Sequence, residues 1–315
     1  MPALVSILIP CYNAEPWIAA TLESALAQTW VHTEIVLVDD GSTDASVAIA
    51  RRYEDRGVKI ISQPNRGASA ARNAALRAAR GDWIQFLDAD DMLDPHKIAL
   101  QLGRAAEIGG EYALCSSWNR FQRDRADADF TLQPLCTDAP PVAWLVEKFA
   151  HNRMMHPAAW LIARTLADRA GPWNESLSVN DDGEYFTRVV LASRGVRWCR
   201  DALSFYRSGI RHSLSDTKSE RAWLSAWRSL ELSTGHLLRA EDSPPTRKAC
   251  AIALQRYIYE AYPRAVDCRA QAAARVATLG GSNLEPEGGP KFQIARRLLG
   301  WRLAKRLLHA RRRVS

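Results

Sequence analysis

The sequence predicts an α/β fold: a mostly parallel sheet flanked by helices, followed by a helical C-terminal extension. Three observations carry this reading. The first hundred of the 315 residues alternate strand-like and helix-like segments. The strand-like segments are short, nearly continuous apolar runs, as in strands buried on both faces. Three of these runs end in polar clusters, Pro10-Cys11-Tyr12-Asn13, Asp39-Asp40-Gly41-Ser42 and Asp88-Ala89-Asp90-Asp91.

Taken in order, residues 5–10 (VSILIP) read as a buried strand, and Asn13 is placed to cap a helix whose Ile18, Leu22, Ala25 and Leu26 share one face. Residues 34–40 (EIVLVDD) form a second strand, and Ser42 can cap the helix running through Val47 and Ala50. A third strand covers 58–62, and residues 68–79 form a helix of small residues that can lie close to a sheet. Residues 81–91 (GDWIQFLDADD) read as a fourth strand ending in acids. Asp94-Pro95 reads as N-cap and first position of the next helix. This βαβα order implies a parallel sheet covered on both faces. Beyond it the pattern is less regular, with strands expected near 112–117 and 158–163, a polar loop over 122–141 and a helix over 182–193.

Segment 216–279 is rich in Ala, Leu and Arg and reads as helical, 280–290 (GGSNLEPEGGP) as a linker, and 291–315 as a basic, apolar tail helix. That tail holds nine Lys or Arg and no acid; removing those nine charges from the net +7 leaves residues 1–290 at −2. A nucleic-acid-binding body is therefore not expected. On a helical wheel the tail carries two apolar stripes. One is Ile294, Leu298, Trp301 and Leu308; the other is Phe292, Leu299, Leu303 and Leu307. One stripe can pack on the body while the other meets an anionic membrane surface. Six scattered cysteines without a C-x-x-C pair read as reduced thiols. The opening residues lack a secretory leader's pattern, and no apolar run reaches spanning length. The expectation is a cytoplasmic protein, peripheral at most to the inner face of a membrane.

Ligands of open α/β sheets sit beyond the carboxyl ends of the strands. Five carboxylates (Asp39, Asp40, Asp88, Asp90 and Asp91) are expected on one such edge, where mutual repulsion invites a divalent cation, Mg²⁺ or Mn²⁺. Taken singly, each acid could equally be a turn former.

Four blocks in sequence, VSILIPCYN, EIVLVDDGSTD, NRGASAARNAAL with GDWIQFLDADD, and NDDGEYFTR (180–188), resemble glycosyltransferase family 2 with its GT-A, Rossmann-like fold, over about residues 4–215. The resemblance implies a nucleotide-sugar-binding half (1–110) and an acceptor half (111–215). It implies that Pro10, Tyr12, Asn13 and Asp40 hold the base and ribose of a nucleoside-diphosphate sugar, with Arg66 and Arg72 near the nucleotide and Asp88 at the ribose or donor sugar. Asp90 matches the metal ligand, and His212 resembles a late position that meets metal or diphosphate. Asp182 matches the catalytic base, with Glu184 the nearest substitute. His156, Trp173 and Asp181 fall on the acceptor side, where His156 and Trp173 could equally be packing residues. The implied reaction is metal-dependent, inverting transfer from a UDP-hexose or UDP-N-acetylhexosamine to a glycan or lipid-linked acceptor in polysaccharide synthesis. The alternatives are a nucleotidyltransferase, which needs a Gly-rich phosphate loop that CYNAEPW lacks, and a non-catalytic binding module.

Overall fold

In a computed structural model, which describes residues 2–128, 131, 133–210 and 219–311, the first apolar run forms a fully buried strand, β1 (Val5–Cys11). Parallel neighbours flank it: β2 (Thr33–Asp39) on one side and β4 (Trp83–Phe86) on the other, with β3 (Val58–Ser62) outside β2. Beyond β4 the direction reverses once at β7 (Trp160–Ala163), which is antiparallel to β4 and to β6 (Ala113–Phe121). β8 (Val196–Arg207) runs parallel to β6, and β5 (Met92–Leu93) closes the edge antiparallel to β8. The order is β3-β2-β1-β4-β7-β6-β8-β5 in one eight-stranded, mostly parallel sheet.

The alternation of side chains along a strand divides the core into two layers. Ile7 and Ile9 of β1 and Ile35 and Leu37 of β2 pack with α1 (Ile18–Leu26), α2 (Ser46–Arg51) and α4 (Lys97–Ile108). Leu8, Val36 and Val38 point the other way, into a layer with α3 (Ala68–Ala78), α5 (Pro141–His151), α6 (Arg164–Ala170) and α7 (Asp181–Ala192). The expected small-residue helix is α3, and its Ala71 and Ala75 let it lie against β1 and β2. After β8, α8 (Glu220–Ala240), α9 (Pro244–Ala261) and α10 (Val266–Thr278) form a helical extension with an apolar centre of its own around Trp227, Leu254 and Tyr257. α11 (Pro290–Arg311) follows, broken at Gly300, whose φ of 74° and ψ of 157° are not helical. No helix among the described residues is long and apolar enough to cross a membrane.

Three expected caps differ from the structure. Asn13 sits in the left-handed region (φ 48°), and its side-chain oxygen accepts from the backbone of Thr43, while α1 starts five residues later at Ile18. Ser42 accepts from the backbone of Asn13 instead of capping α2, and Ala45 takes the cap position. Asp94 bonds the backbone of His96, and α4 starts at Lys97. In the first two cases the polar residue ties one strand-end loop to the next, which joins β1 to β2 where a ligand is expected. The fourth strand is also shorter than expected: β4 stops at Phe86, and the acids occupy the turn after it.

One buried charge stands out in the α4 layer. Lys97 is fully buried, and its ammonium donates to the side-chain oxygens of Gln85 (2.5 Å) and Gln101 (2.6 Å), with no carboxylate partner among the described residues. Burial lowers its pKa to about 7. The unfolded chain then binds one more proton at this site between about pH 7 and 10, so the Lys97 contribution to stability rises with pH across that window, by roughly 1.4 kcal/mol per pH unit at most. Buried thiols such as Cys11, raised to about 12, act in the opposite sense. The clean readout is therefore a difference. In urea unfolding, the stability of wild type minus that of Lys97→Met should rise from pH 7 to pH 10; a flat difference would show that the lysine stays charged in the fold.

Candidate active site

The strand ends converge as expected, but the five acids take separate roles. Both oxygens of Asp40 are engaged by the turn that follows β3: it accepts from the backbone of Arg66 (2.9 Å) and Gly67 (2.7 Å) and from the side chain of Gln63 (2.7 Å). Gly41 makes that approach possible, since its φ is 77° and a Cβ there would lie 2.9 Å from the backbone nitrogen of Asn65. Asp39 accepts from the backbone of Ser42. Asp91 is fully buried, accepting from the backbone of Arg207 (2.8 Å) and facing His156 (3.0 Å). Asp39 and Asp40 thus tie down turns, whereas Asp91 ties the turn after β4 to β8 and to His156.

Asp88 and Asp90 remain toward the open edge. Asp88 is gripped by Arg72 (2.7 Å). No other described residue donates a hydrogen bond to the Asp90 carboxylate, and burial with the charges of Asp91 and Asp88 raises its pKa to about 8. Its backbone carbonyl accepts from the Arg207 guanidinium (2.8 Å), which lies between the rings of Trp17 and Phe121. Of the other residues expected around a nucleotide, Tyr12 is 52% exposed, Pro10 is buried within β1, and Arg66 is exposed and paired with Glu175 (2.9 Å).

Arg72 is 6% exposed. One terminal nitrogen binds Asp88 and the other Asp181 (2.8 Å), and the guanidinium lies 4.5 Å from the ring centre of Trp173. Asp181 and Trp173, expected on the acceptor side, are both held by internal partners. Asp181 is held by Arg72 and the Ser69 hydroxyl (2.7 Å). Trp173 is 1% exposed and stacks on Tyr185 with ring centres 4.1 Å apart. His156 is likewise 1% exposed, between Asp91 and the Ser204 hydroxyl (3.0 Å), and burial lowers its pKa to about 3. Neutral, it can donate to Asp91 through one ring nitrogen and accept from Ser204 at the other. The packing alternative fits both aromatic rings.

Asp182 is placed differently. No described residue donates a hydrogen bond to its carboxylate, and its pKa is raised to about 6, chiefly by burial and then by Asp181. It lines a cavity of about 900 Å³ bounded by α5, α7, α8 and α9, together with Lys148, Trp160, Trp223, Arg256 and Tyr257. Tyr12, Asp40, Asp88 and Asp90 lie outside that lining. Glu184, the nearest substitute base, is ruled out by its partners: it is 2% exposed, bound at both oxygens by Arg188 and near His236. His212 lies outside the described residues.

Sequence reasoning missed the residues that fix this helix start. Ser225 of α8 accepts from the backbones of Ser178 and Val179, and Ser229 bonds both the side chain (2.8 Å) and the carbonyl (2.5 Å) of Asn180. A Cβ on Gly183 would stand 2.3 Å from the Asn180 side chain, so only glycine follows Asp182 without displacing it. Lys148, on the cavity wall with Asp182, was missed too; its ammonium donates no hydrogen bond among the described residues, and burial lowers its pKa. The four-residue spacing of Ser225, Ser229 and Ser233 on one α8 face was the available signal for the serines.

Arg72→Met should leave Asp88 and Asp181 without their shared partner and cost about 3–5 kcal/mol in urea unfolding. Arg72→Lys, which keeps the charge without the fork, should fall between it and wild type. Equal stability of all three proteins would mean that the bridge holds nothing together.

The likenesses to known proteins follow the same lines. Residues 6–154 match the model described as Glycosyl transferase family 2. The chain is 47% identical over 212 residues to the uncharacterized glycosyltransferase EpsJ of Bacillus subtilis (strain 168), covering 66% of this chain and 62% of that one. It is 31% identical over 195 residues to the UDP-Glc:alpha-D-GlcNAc-diphosphoundecaprenol beta-1,3-glucosyltransferase WfaP of Escherichia coli, covering 62% of this chain and 72% of that one. The match thus spans about three fifths of EpsJ and somewhat more of WfaP. In fold, the crystal structure of S. aureus TarS 1–349 in complex with UDP-GlcNAc superposes with a TM-score of 0.69 at 16% identity, over 88% of this chain and 81% of that one. Sheet, sequence blocks and relatives agree, and the chain belongs to glycosyltransferase family 2.

Proposed function

We propose that this protein is a divalent-cation-dependent, inverting glycosyltransferase. It would move a hexosyl or N-acetylhexosaminyl group from a UDP-sugar to a hydroxyl of a glycan or lipid-linked acceptor in cell-surface polysaccharide synthesis. One observation carries the reading: Asp182, a carboxylate to which no other described residue donates a hydrogen bond, lies on the wall of a 900 Å³ cavity, next in sequence to the Asp181 that Arg72 ties to Asp88. The donor class is supported by the UDP-GlcNAc in the TarS structure and by the donor in the name of WfaP, whose named acceptor is a sugar on a lipid diphosphate.

In this reading Tyr12, Asp40, Arg66 and the Asp88 turn form the donor compartment. Arg72 acts as a positioning residue, presenting Asp88 to the ribose or sugar while its other nitrogen fixes Asp181. Among the described residues no group of three or more His, Cys, Asp or Glu is arranged around a metal position. Mg²⁺ and Mn²⁺ commonly bind through one or two carboxylates and fill their remaining positions with phosphate and water. Asp90 suits that demand: a hard oxygen donor, without hydrogen bonds from other described residues, crowded by Asp88 and Asp91. Bound there, a divalent cation would supply neutralising charge to the diphosphate as it leaves.

The acceptor hydroxyl approaches from the cavity. Asp182 takes its proton as the oxygen forms a bond to the anomeric carbon, and the bond from that carbon to the diphosphate oxygen breaks on the opposite side. The nucleoside diphosphate leaves with that electron pair, and the configuration inverts. Lys148 can orient an oxygen of the acceptor on the same wall. The charged groups around Asp182 are Asp181 on its own helix, Lys148 of α5, Arg72 of α3 and Asp88 after β4. Arg256 and Glu260 of α9 and Lys305 of α11 also line the cavity. With a pKa near 6 the base is ionised at neutral pH yet still close enough to it to accept a proton readily.

The deciding assay offers purified protein a panel of nucleotide sugars with Mn²⁺, reads release of nucleoside diphosphate, and assigns the new linkage by NMR of its anomeric proton. A UDP-sugar with an α linkage should give a β product; an α product would overturn the single displacement, and activity unaffected by chelator or by Asp90→Ala would overturn the metal assignment. Asp182→Asn should lower kcat about 10²–10⁴-fold while donor affinity stays near wild type. In wild type kcat/KM should fall about tenfold per pH unit below pH 6, because the protonated carboxyl cannot act as base. Loss of donor binding in Asp182→Asn would place this residue on the donor instead.

A further inference from the structure

The C-terminal helix presents an unpartnered apolar face with a uniform charge. Eleven large hydrophobic residues are exposed among the described residues, and five of them fall on α11: Ile294, Leu298, Leu299, Leu303 and Leu307, each 48–77% exposed. The opposite side of the same helix is anchored. Phe292 and Ala304 are buried, Trp301 meets Tyr259 and Tyr262 edge-on with ring centres 5.0 Å away, Arg296 pairs with Glu285 (2.8 Å), and Lys305 donates to the carbonyl of Tyr259. The helix is therefore fixed to the α9 region, and its outer leucines face away from it.

This replaces the picture of one straight helix with two opposed stripes. Each expected stripe contains one residue that packs inward, Trp301 in the first and Phe292 in the second, and the break at Gly300 separates two short helical segments. The exposed leucines follow exposed arginines directly: Arg297-Leu298, Arg302-Leu303 and Arg306-Leu307. Each pair sets a long cationic side chain beside an apolar one.

We infer that this face docks the protein on an anionic lipid surface. Residues 291–315 carry nine Lys or Arg and no acid, so a second copy of the same face would meet like charge, whereas anionic head groups would neutralise it. The leucines enter the boundary between head groups and acyl chains, and the arginine stems lie along them with the guanidinium groups at phosphate level. Arg302 and Arg306 are exposed but rest near the Trp301 and Tyr262 rings (5.4 and 5.6 Å from the ring centres), so their guanidinium groups swing from those rings to the head groups on docking. Each basic residue near an anionic leaflet adds to the attraction, which supports reversible attachment without a spanning segment.

The test is flotation of the full-length protein with vesicles of phosphatidylcholine alone or with 30% phosphatidylglycerol, at low salt and at 0.5 M NaCl, with no sugar nucleotide present. Wild type should float with the anionic vesicles, lose at least tenfold of its partitioning in high salt, and stay unbound to phosphatidylcholine. Leu298→Glu/Leu303→Glu/Leu307→Glu and, separately, Arg297→Gln/Arg302→Gln/Arg306→Gln should each reduce flotation at least tenfold. Because the altered side chains are exposed, both variants should keep the wild-type melting temperature. Binding to both vesicle types alike, or flotation of both variants at the wild-type level, would overturn the proposal. So would a concentration-dependent dimer in sedimentation that the glutamate variant abolishes, since the face would then join two chains. The readout needs neither donor nor acceptor, so its failure leaves the proposed reaction standing, and the converse holds as well.

Discussion

Arg72 is the constraint on which the geometry of this site rests. Its guanidinium is buried, so its charge must be met internally, and two carboxylates from distant parts of the chain meet it at the two terminal nitrogens, while Nε has no hydrogen-bond partner among the described residues. Asp88 belongs to the turn after β4 and Asp181 to the first turn of α7. A single planar fork thus fixes the distance between a strand-end edge built from the first hundred residues and a helix start contributed by residues far later. The ring of Trp173 beneath the guanidinium, stacked in turn on Tyr185, limits the tilt of that fork. The second strut is Arg207 at the end of β8: its guanidinium donates to the backbone carbonyl of Asp90, and its backbone N–H donates to the Asp91 carboxylate.

These two arginines explain why so few of the clustered acids are free. Once Asp40 has closed its turn, Asp91 has met His156 and Asp88 has met Arg72, Asp90 is the strand-end acid to which no other described residue donates a hydrogen bond, as Asp182 is on the cavity side. A crowd of like charges would otherwise resist folding; here part of the surplus is neutralised in pairs, and burial with the repulsion that remains holds Asp90, Asp91 and Asp182 above the usual carboxylate range. The helical extension contributes to the same end. Ser225 and Ser229 of α8 grip residues 178–180, so part of what orients Asp182 comes from outside the sheet.

Much of the sheet was legible because burial on both faces writes itself as uninterrupted apolar runs: β1, β2 and β3 lie within a residue of their expected limits, and α7 begins one residue early. β8 was not legible. Its twelve residues include Arg197, Arg200, Asp201 and Arg207, and its pairing with β6 jumps from Cys199 to Leu203, so no simple alternation survives in the sequence. Among site residues, the acids at strand ends could be found by type and place, but their roles could not. Whether a carboxylate faces a ligand or a backbone amide depends on loops such as 63–67 that pattern does not describe. The same holds for Trp173 and His156, whose residue types suit a sugar platform as well as a core, and which packing assigned to the core. Lys148 carries no motif at all; only the shape of the cavity brings it to the same wall as Asp182.

The two-layer alternation along β2 has a consequence for how this chain can change. Ile35 and Leu37 face one layer and Val36 and Val38 the other, and the strand passes that phase on to the pair of acids at its end. Asp39 lies close enough to Cys11 for its charge to raise the thiol, while Asp40 turns to the loop after β3. Identical in chemistry, the two residues differ only in whether their position is odd or even. Gain or loss of a single residue anywhere in β2 would exchange them while leaving composition and charge untouched, and would turn every branched side chain of the strand to the wrong layer at the same time. The parity of a strand thus acts as an address for the chemistry at its tip.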